Sequence, residues 1–267
     1  MVHDLAPPWL DAQYFDSDYV TPVHGGKFLL GLERQKKRYI RWLNAAPSHA
    51  AREIAANLGS CSALTPCGDG VCPMCGLAQN QWFRDEAHRL FDGKQLTTFS
   101  TVQLSDKRSL PSRLSHLNIA EQLLLLNQAL QDAGLSTTPF FGAFDFSYNT
   151  YSNGAESWSC HSVLLTCDRD SRTISRLLNS VIGKSKHVPI PVKTLIINRT
   201  PDRVFSYALK SVFFRRIAAT SRGHQRHVSS KMITPSDPLF DELAIALHRF
   251  GRTNRLIARN VDIITGQ

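Results

Sequence analysis

Pro139-Phe-Phe-Gly-Ala-Phe-Asp-Phe-Ser-Tyr-Asn149 and Trp158-Ser-Cys-His-Ser-Val-Leu-Leu-Thr166 flank the dipeptide Asn153-Gly154. Both runs are rich in aromatic and β-branched residues, and Asn-Gly is a turn former, so the pair reads as an antiparallel hairpin. Side chains alternate along a strand with period two. Ala143, Asp145 and Ser147 therefore share one face of the first strand, and Ser159, His161, Val163 and Leu165 share a face of the second. Hairpin pairing places Asp145 and His161 on the same side.

Outward from the hairpin the pattern stays regular. Lys94 to Leu104, with its Thr97-Thr-Phe-Ser-Thr-Val102 centre, predicts a strand, and the Leu-striped segment Leu117 to Ala133 predicts a helix closed by Gly134. Downstream, Asp170 opens a helix to about Ile182, and Val192 to Asn198 predicts a fourth strand. Pro201 opens a helix that is expected to run through Phe205, Tyr207, Lys210 and Phe213-Phe214 to about Ala219. On that helix Tyr207 and Lys210 would be neighbours at i, i+3. The order strand, helix, strand, strand, helix, strand predicts an α+β protein with a ferredoxin-like βαββαβ antiparallel sheet and flanking helices.

Three regions are expected: a helical and zinc-binding segment 1–93, the sheet domain 94–220, and a basic helix and tail 221–267. Within the first, residues 1–30 read as an irregular arm. Helices are predicted over Gly31 to Leu43, Ser48 to Leu58 with Ser48 as N-cap, and Gln79 to Phe91. The third region holds an amphipathic helix, Pro238 to Phe250, followed by a basic tail.

Between the second and third helices four cysteines crowd together as Cys61-x5-Cys67-x4-Cys72-x2-Cys75. Four thiolates complete a tetrahedral Zn²⁺ shell with no position left for a substrate, which predicts a structural site. A redox CxxC would leave Cys61 and Cys67 unused, and the start of the sequence has no secretory leader pattern, so disulfides are not expected. Cys160 and Cys167 read as small buried hydrophobes.

Of 267 residues, 42% are hydrophobic and 20% charged, as in an ordinary soluble globule. No apolar run approaches the roughly 20 residues that span a bilayer, which excludes a membrane helix. The net charge is +9 and uneven: Arg199 to Arg259 carries twelve Lys/Arg against four Asp/Glu. A second basic run, Arg34-Gln-Lys-Lys-Arg-Tyr-Ile-Arg-Trp42, interleaves cations with aromatics. That combination suits a phosphate backbone with stacked bases. The expected contacts are Lys36, Lys37, Arg38 and Arg41 near the start, then Arg203, Arg215, Arg216, Arg222, Arg226, Arg252 and Arg255.

These motifs together resemble those of rolling-circle replication initiators (Rep proteins) of the HUH endonuclease superfamily, over Cys61 to about Arg216. Cys72-Pro-Met-Cys75 is similar to the zinc segment of many plasmid Reps, and Thr97-Thr-Phe-Ser-Thr101 to their first strand motif. Gly142-Ala-Phe-Asp145 resembles the Gly-x-x-Glu strand, Trp158-Ser-Cys-His161 the Trp-x-x-His strand, and Tyr207-Ala-Leu-Lys210 the Tyr-x-x-Lys motif. The resemblance implies Tyr207 as nucleophile, Lys210 as phosphate contact, and His161 with Asp145 as ligands of a catalytic Mg²⁺ or Mn²⁺. One histidine of the HUH pair is missing: Ser159 or Val163 stands in its place, with His116 and His187 as loop substitutes.

The implied function is DNA binding of the mobile-element or plasmid replication type, on single-stranded or hairpin DNA, by a degenerate HUH fold. The alternatives are an active Tyr207 nickase-ligase and an RNA-binding protein stacking bases on Phe144, Phe146 and Tyr148. A cytoplasmic, nucleoid-associated location and protein partners of a replication complex belong to the same expectation.

Overall fold

The structure, a computed structural model, describes residues 8–10, 25–91, 97–104, 110–150, 155–167, 170–184, 190–197, 201–209, 214–220, 226–232 and 238–263. Helices α1 (Gly25–Ala45), α2 (His49–Ser60) and α3 (Pro73–Phe91) come first. Strand β1 (Thr97–Val102), α4 (Ile119–Asp132), the hairpin β2 (Phe140–Thr150) and β3 (Glu156–Thr166), α5 (Ser171–Ile182), β4 (Val192–Ile197) and α6 (Pro201–Ala208) follow. The order closes with β5 (Phe214–Thr220), β6 (Arg226–Met232), α7 (Pro238–Phe250) and β7 (Leu256–Arg259).

Local chemistry sets several of these ends. The Asn118 carboxamide oxygen accepts from the backbone N–H groups of Ala120 and Glu121 and starts α4. Asp170 does the same for α5, through Arg172 and Thr173. Gly134, at φ +69°, closes α4 in a conformation that costs other residues more. Ser48 precedes α2 as expected but makes no side-chain cap.

The protein is α+β, with an antiparallel sheet and flanking helices. Strand order is β4-β1-β3-β2, with β1 antiparallel to both β3 and β4 and β2 antiparallel to β3. The outer edge of β2 is divided. Its first half pairs antiparallel with β7, and Tyr148 to Thr150 pair in parallel with β5, which carries β6 beyond it.

Two sequence expectations are corrected here. The helix expected from Pro201 to about Ala219 stops at Ala208, and Phe214–Thr220 is a strand paired with Arg226–Met232. Its Ile217 and Thr220 are β-branched, and a ladder to β6 supplies backbone partners that a lone helix end lacks. The basic tail after α7 is a 3₁₀ turn, Thr253–Arg255, leading into β7 of the main sheet. The Asn153-Gly154 turn lies outside the described residues, but the hairpin it joins pairs from Phe141↔Leu165 to Thr150↔Glu156.

Each face of the sheet has its own core. Phe140, Phe144, Phe146, Tyr148, Trp158 and Leu164 bury against α2, α4, α5 and α7. Phe146 stacks on Phe250 of α7 at 5.5 Å. All three aromatics proposed as an RNA-stacking platform, Phe144, Phe146 and Tyr148, are thus buried and present no ring to solvent. On the opposite face Phe141, Ala143, Val163 and Leu165 pack with Trp82 and Phe83 of α3 and Phe205 of α6. Phe83 stacks on Phe141 with centroids 4.3 Å apart. Burying one such ring stabilises by about 1.5–3 kcal/mol, so α3 and α6 are fixed firmly over the hairpin.

Gly142, in the middle of β2, is a close-approach position. A Cβ there would meet the Val163 carbonyl oxygen at 1.9 Å, on a backbone that cannot yield without breaking the β2–β3 ladder. Gly142→Ala is expected to destabilise by about 3 kcal/mol, read as a lowered urea midpoint. An unchanged midpoint would show that the hairpin is looser than its register.

Candidate functional site

The four cysteines of the 61–75 segment converge. Their sulfurs all lie within 4.8 Å of one another, with Cys61–Cys75 at 3.6 Å, Cys61–Cys72 at 3.6 Å and Cys67–Cys75 at 3.8 Å. A tetrahedral thiolate shell with metal–sulfur bonds of about 2.3 Å sets sulfurs about 3.8 Å apart. The cluster therefore fits a metal ion such as zinc.

Cations on other elements clamp the cluster's backbone. The buried Lys36 ammonium donates to the Cys61 carbonyl at 2.8 Å. Arg252 donates from Nε to the Asp69 carbonyl at 2.7 Å and from Nη2 to the Cys72 carbonyl. His248 Nδ1 lies 2.7 Å from Asp69 Oδ2. Lys36 and Arg252, expected as nucleic-acid contacts, are instead buried structural donors. For Lys36 the signal was present in the sequence: it sits on the stripe Leu32, Lys36, Ile40, Leu43, at the spacing of a buried helix face.

Helix α3 starts at Pro73, inside the cluster, and carries its position to α6. Asn80 Nδ2 donates to the Ser206 and Leu209 carbonyls at 2.9 and 2.6 Å, capping the C-terminal end of α6. At the other end His88 Nε2 lies 2.8 Å from Asp202 Oδ1. Helix α6 is thus tied at both ends, with Tyr207 between the ties.

Tyr207 is 43% exposed and lines a cavity of about 250 Å³ over the open part of the sheet. His161 and Ser159 of β3, Ser147 and Asn149 of β2, Thr101 of β1 and Lys193 of β4 share its walls. Register explains the gathering: Asp145 faces His161, Ser147 faces Ser159, and Thr101 faces both Val163 and Lys193. Lys193 and Asn149 were not singled out in the sequence, and Thr101 entered only as the last residue of a strand motif. Their signal is alternation alone, and it becomes readable only once the strand neighbours are known.

His161 Nε2 is 3.1 Å from Asp145 Oδ2, and Asp145 Oδ1 accepts from the Phe146 backbone N–H at 2.9 Å. Both carboxylate oxygens are engaged, and the residue is 1% exposed. Behind it lies Arg255, also 1% exposed, bonded to the Phe144 carbonyl at 3.3–3.4 Å. Burial holds the Arg255 guanidinium down to about 10, and Asp145 acts in the opposite sense. Burial, followed by the Asp145 charge, pushes the Cys160 thiol up. Arg255, expected to touch nucleic acid, is another buried cation.

His161 and Asp145, expected as ligands of a divalent ion, form a pair of side chains. Among the described residues no further His, Cys, Asp or Glu joins them in a cluster able to hold a metal, and Asp145 is spent on His161 and its own strand. The pair offers two ligand atoms, so a divalent ion held there would take its remaining ligands from water or phosphate oxygens. His116 lines a separate trough beside α4, and His187 lies outside the described residues.

On α1, Lys37, Arg38 and Arg41 are exposed as expected. The Arg38 and Arg41 guanidiniums lie 5.5 and 6.0 Å from the Trp42 ring centroid. Lys210 and Arg222 lie outside the described residues, as do the side chains of Arg203, Arg215, Arg216 and Arg226. Among the described residues no helix is long and apolar enough to cross a membrane. Comparison of the chain with protein-family models, curated proteins and solved structures finds no match.

Proposed function

We propose that the protein binds single-stranded or hairpin DNA as a degenerate relative of the HUH replication initiators, acting in plasmid or mobile-element replication. The observation that carries this reading is the cavity in which Tyr207, His161 and Lys193 meet polar side chains from β1, β2 and β3. The strand order β4-β1-β3-β2, with helices between β1 and β2 and between β3 and β4, supports a ferredoxin-like split βαβ assignment. Zinc in the Cys61, Cys67, Cys72 and Cys75 cluster fits the same assignment, as a staple for the helical end.

In the cavity the Lys193 ammonium would neutralise a phosphate, and the hydroxyls of Thr101, Ser147 and Ser159 can donate to its oxygens. The half-exposed Tyr207 ring offers a face on which a base can stack. Ser159 is one of the two positions, with Val163, at which the resemblance expects a histidine, and it accepts a hydrogen bond from Asn149 Nδ2 at 2.8 Å. It is a positioning hydroxyl in this protein. Lys37, Arg38 and Arg41 on α1 provide a second, sequence-independent grip on a polyanion.

Fluorescence anisotropy with a labelled DNA hairpin carrying a single-stranded arm tests this. Neutralising four phosphates, through Lys37, Arg38, Arg41 and Lys193, gives a log–log salt slope near −3. That is about a 50-fold loss of affinity between about 50 and 200 mM salt. Lys193→Ala should flatten the slope by about 0.7, and His161→Ala combined with Tyr207→Phe should leave most of the binding intact. Affinity indifferent to salt would overturn the reading. A covalent DNA adduct formed with Mn²⁺ and lost in Tyr207→Phe would replace it with the nickase, and preference for a matched RNA with RNA recognition.

A further inference from the structure

Two troughs of about 680 and 720 Å³ are lined by α4 and by β7 with its approach, and neither includes a β2 residue. They meet at Leu123, Thr253 and Leu256, which line both, so they form one continuous groove between α4 and the chain that follows α7. Its lining is mixed: Leu123, Leu124 and Leu256 form an apolar strip, bordered by polar residues such as Asn118, Asn127 and Gln128. Leu124 is 69% exposed on the α4 side, and Ile257 and Phe250 are buried beneath.

Two features say what fits there. Strand β7 pairs with β2 along one edge only, and among the described residues its other edge has no strand partner. Such an edge presents backbone donors and acceptors to an extended chain. The groove's charge is one-sided. Arg249 lines one trough and Arg259 the other, and neither trough has an Asp or Glu in its lining. Both guanidiniums are held by neutral oxygens, Arg249 by the Ser115 carbonyl and Arg259 by the Asn127 side-chain and backbone oxygens. Their charge is therefore not cancelled within those contacts. Helix α4 has 14 residues, about 20 Å of length, which an extended segment of about six residues would match.

The geometry points to a protein partner here: an extended peptide that adds a strand to β7, seats aliphatic side chains against Leu123, Leu124 and Leu256, and places carboxylates at Arg249 and Arg259. This surface is separate from the Tyr207 cavity and does not depend on the DNA reading. It gives the protein a way to recruit a second protein while its cavity is occupied.

The test uses the full chain and a fluorescein-labelled peptide, Asp-Glu-Val-Leu-Val-Leu-Glu-Asp, with a copy in which every acidic residue is Lys. The acidic peptide should bind saturably and the Lys copy at least about tenfold more weakly. Leu124→Glu, at an exposed position where folding is not at risk, should weaken the acidic peptide about tenfold or more, and Arg249→Gln should weaken it less. Two N-methylated versions, on odd or on even residues, should differ, because only one register blocks hydrogen bonds to β7. No binding, equal binding of the Lys copy, or insensitivity to Leu124→Glu overturns the proposal. So does displacement of the peptide by a DNA oligonucleotide. Self-association of the chain that Leu124→Glu abolishes would also overturn it, by showing that a second copy covers the groove.

Discussion

A Cys75→Ser variant, or the native chain stripped of metal by a chelator, is expected to lose its cooperative fold at the helical end and with it the ordered Tyr207 helix. Four sulfurs within 4.8 Å of one another hold together as separate thiols only weakly, whereas a shared ion binds them strongly. Structural tetrathiolate sites contribute on the order of 10 kcal/mol at neutral pH. Whole domains are stable by only about 5–15 kcal/mol, so the ion's share decides whether the fold persists. The damage should not stay local. Cys75 belongs to α3, the Asn80 carboxamide of α3 caps α6, and α6 carries Tyr207. Thermal unfolding followed by near-ultraviolet circular dichroism, beside a metal count per chain, checks this. One ion per chain and a collapse of the transition on chelation are the expected results. A chain that purifies metal-free and melts unchanged would dismiss the site.

Asp145→Ala is expected to cost about 3–5 kcal/mol, more than most single substitutions in the protein. The carboxylate is the acceptor for His161 Nε2 and for the Phe146 N–H, and its charge offsets that of buried Arg255. Removing it leaves two donors unsatisfied and takes a negative charge away from the buried Arg255, in a site 1% exposed. Asp145→Asn keeps an acceptor of the same shape and removes only the charge, so its loss should be smaller. Urea unfolding of the two variants separates the roles. Were Asp145 mainly a ligand waiting for a divalent ion, its removal would leave the ion-free protein as stable as before, and that outcome would restore the metal reading of the His161 strand.

Much of this was legible in the chain. The hairpin was readable because Asn-Gly between two alternating runs is a local signal, and the same alternation set Asp145 opposite His161. The cysteine spacing announced a shared centre, and a cap such as Asp170 acts within three residues of itself. Other features depend on partners far away in sequence. Arg252 and Arg255 look like a solvated basic tail until Cys72, Asp69 and Phe144 supply the carbonyls that bury them. Phe214–Thr220 carries no local mark against helix strong enough to outweigh its neighbours, and a strand forms because β2 and β6 flank it.

Alternation, capping and thiol spacing are interactions within a few residues, so the sequence by itself determined the α+β class, the hairpin and the place of the cysteine cluster. Sheet order, the burial of Lys36, Arg252 and Arg255, and the meeting of Lys193 with Tyr207 were decided only in the tertiary structure. Each depends on which strands and carbonyls come together after the chain has closed its long loops, and no window of local sequence contains that information.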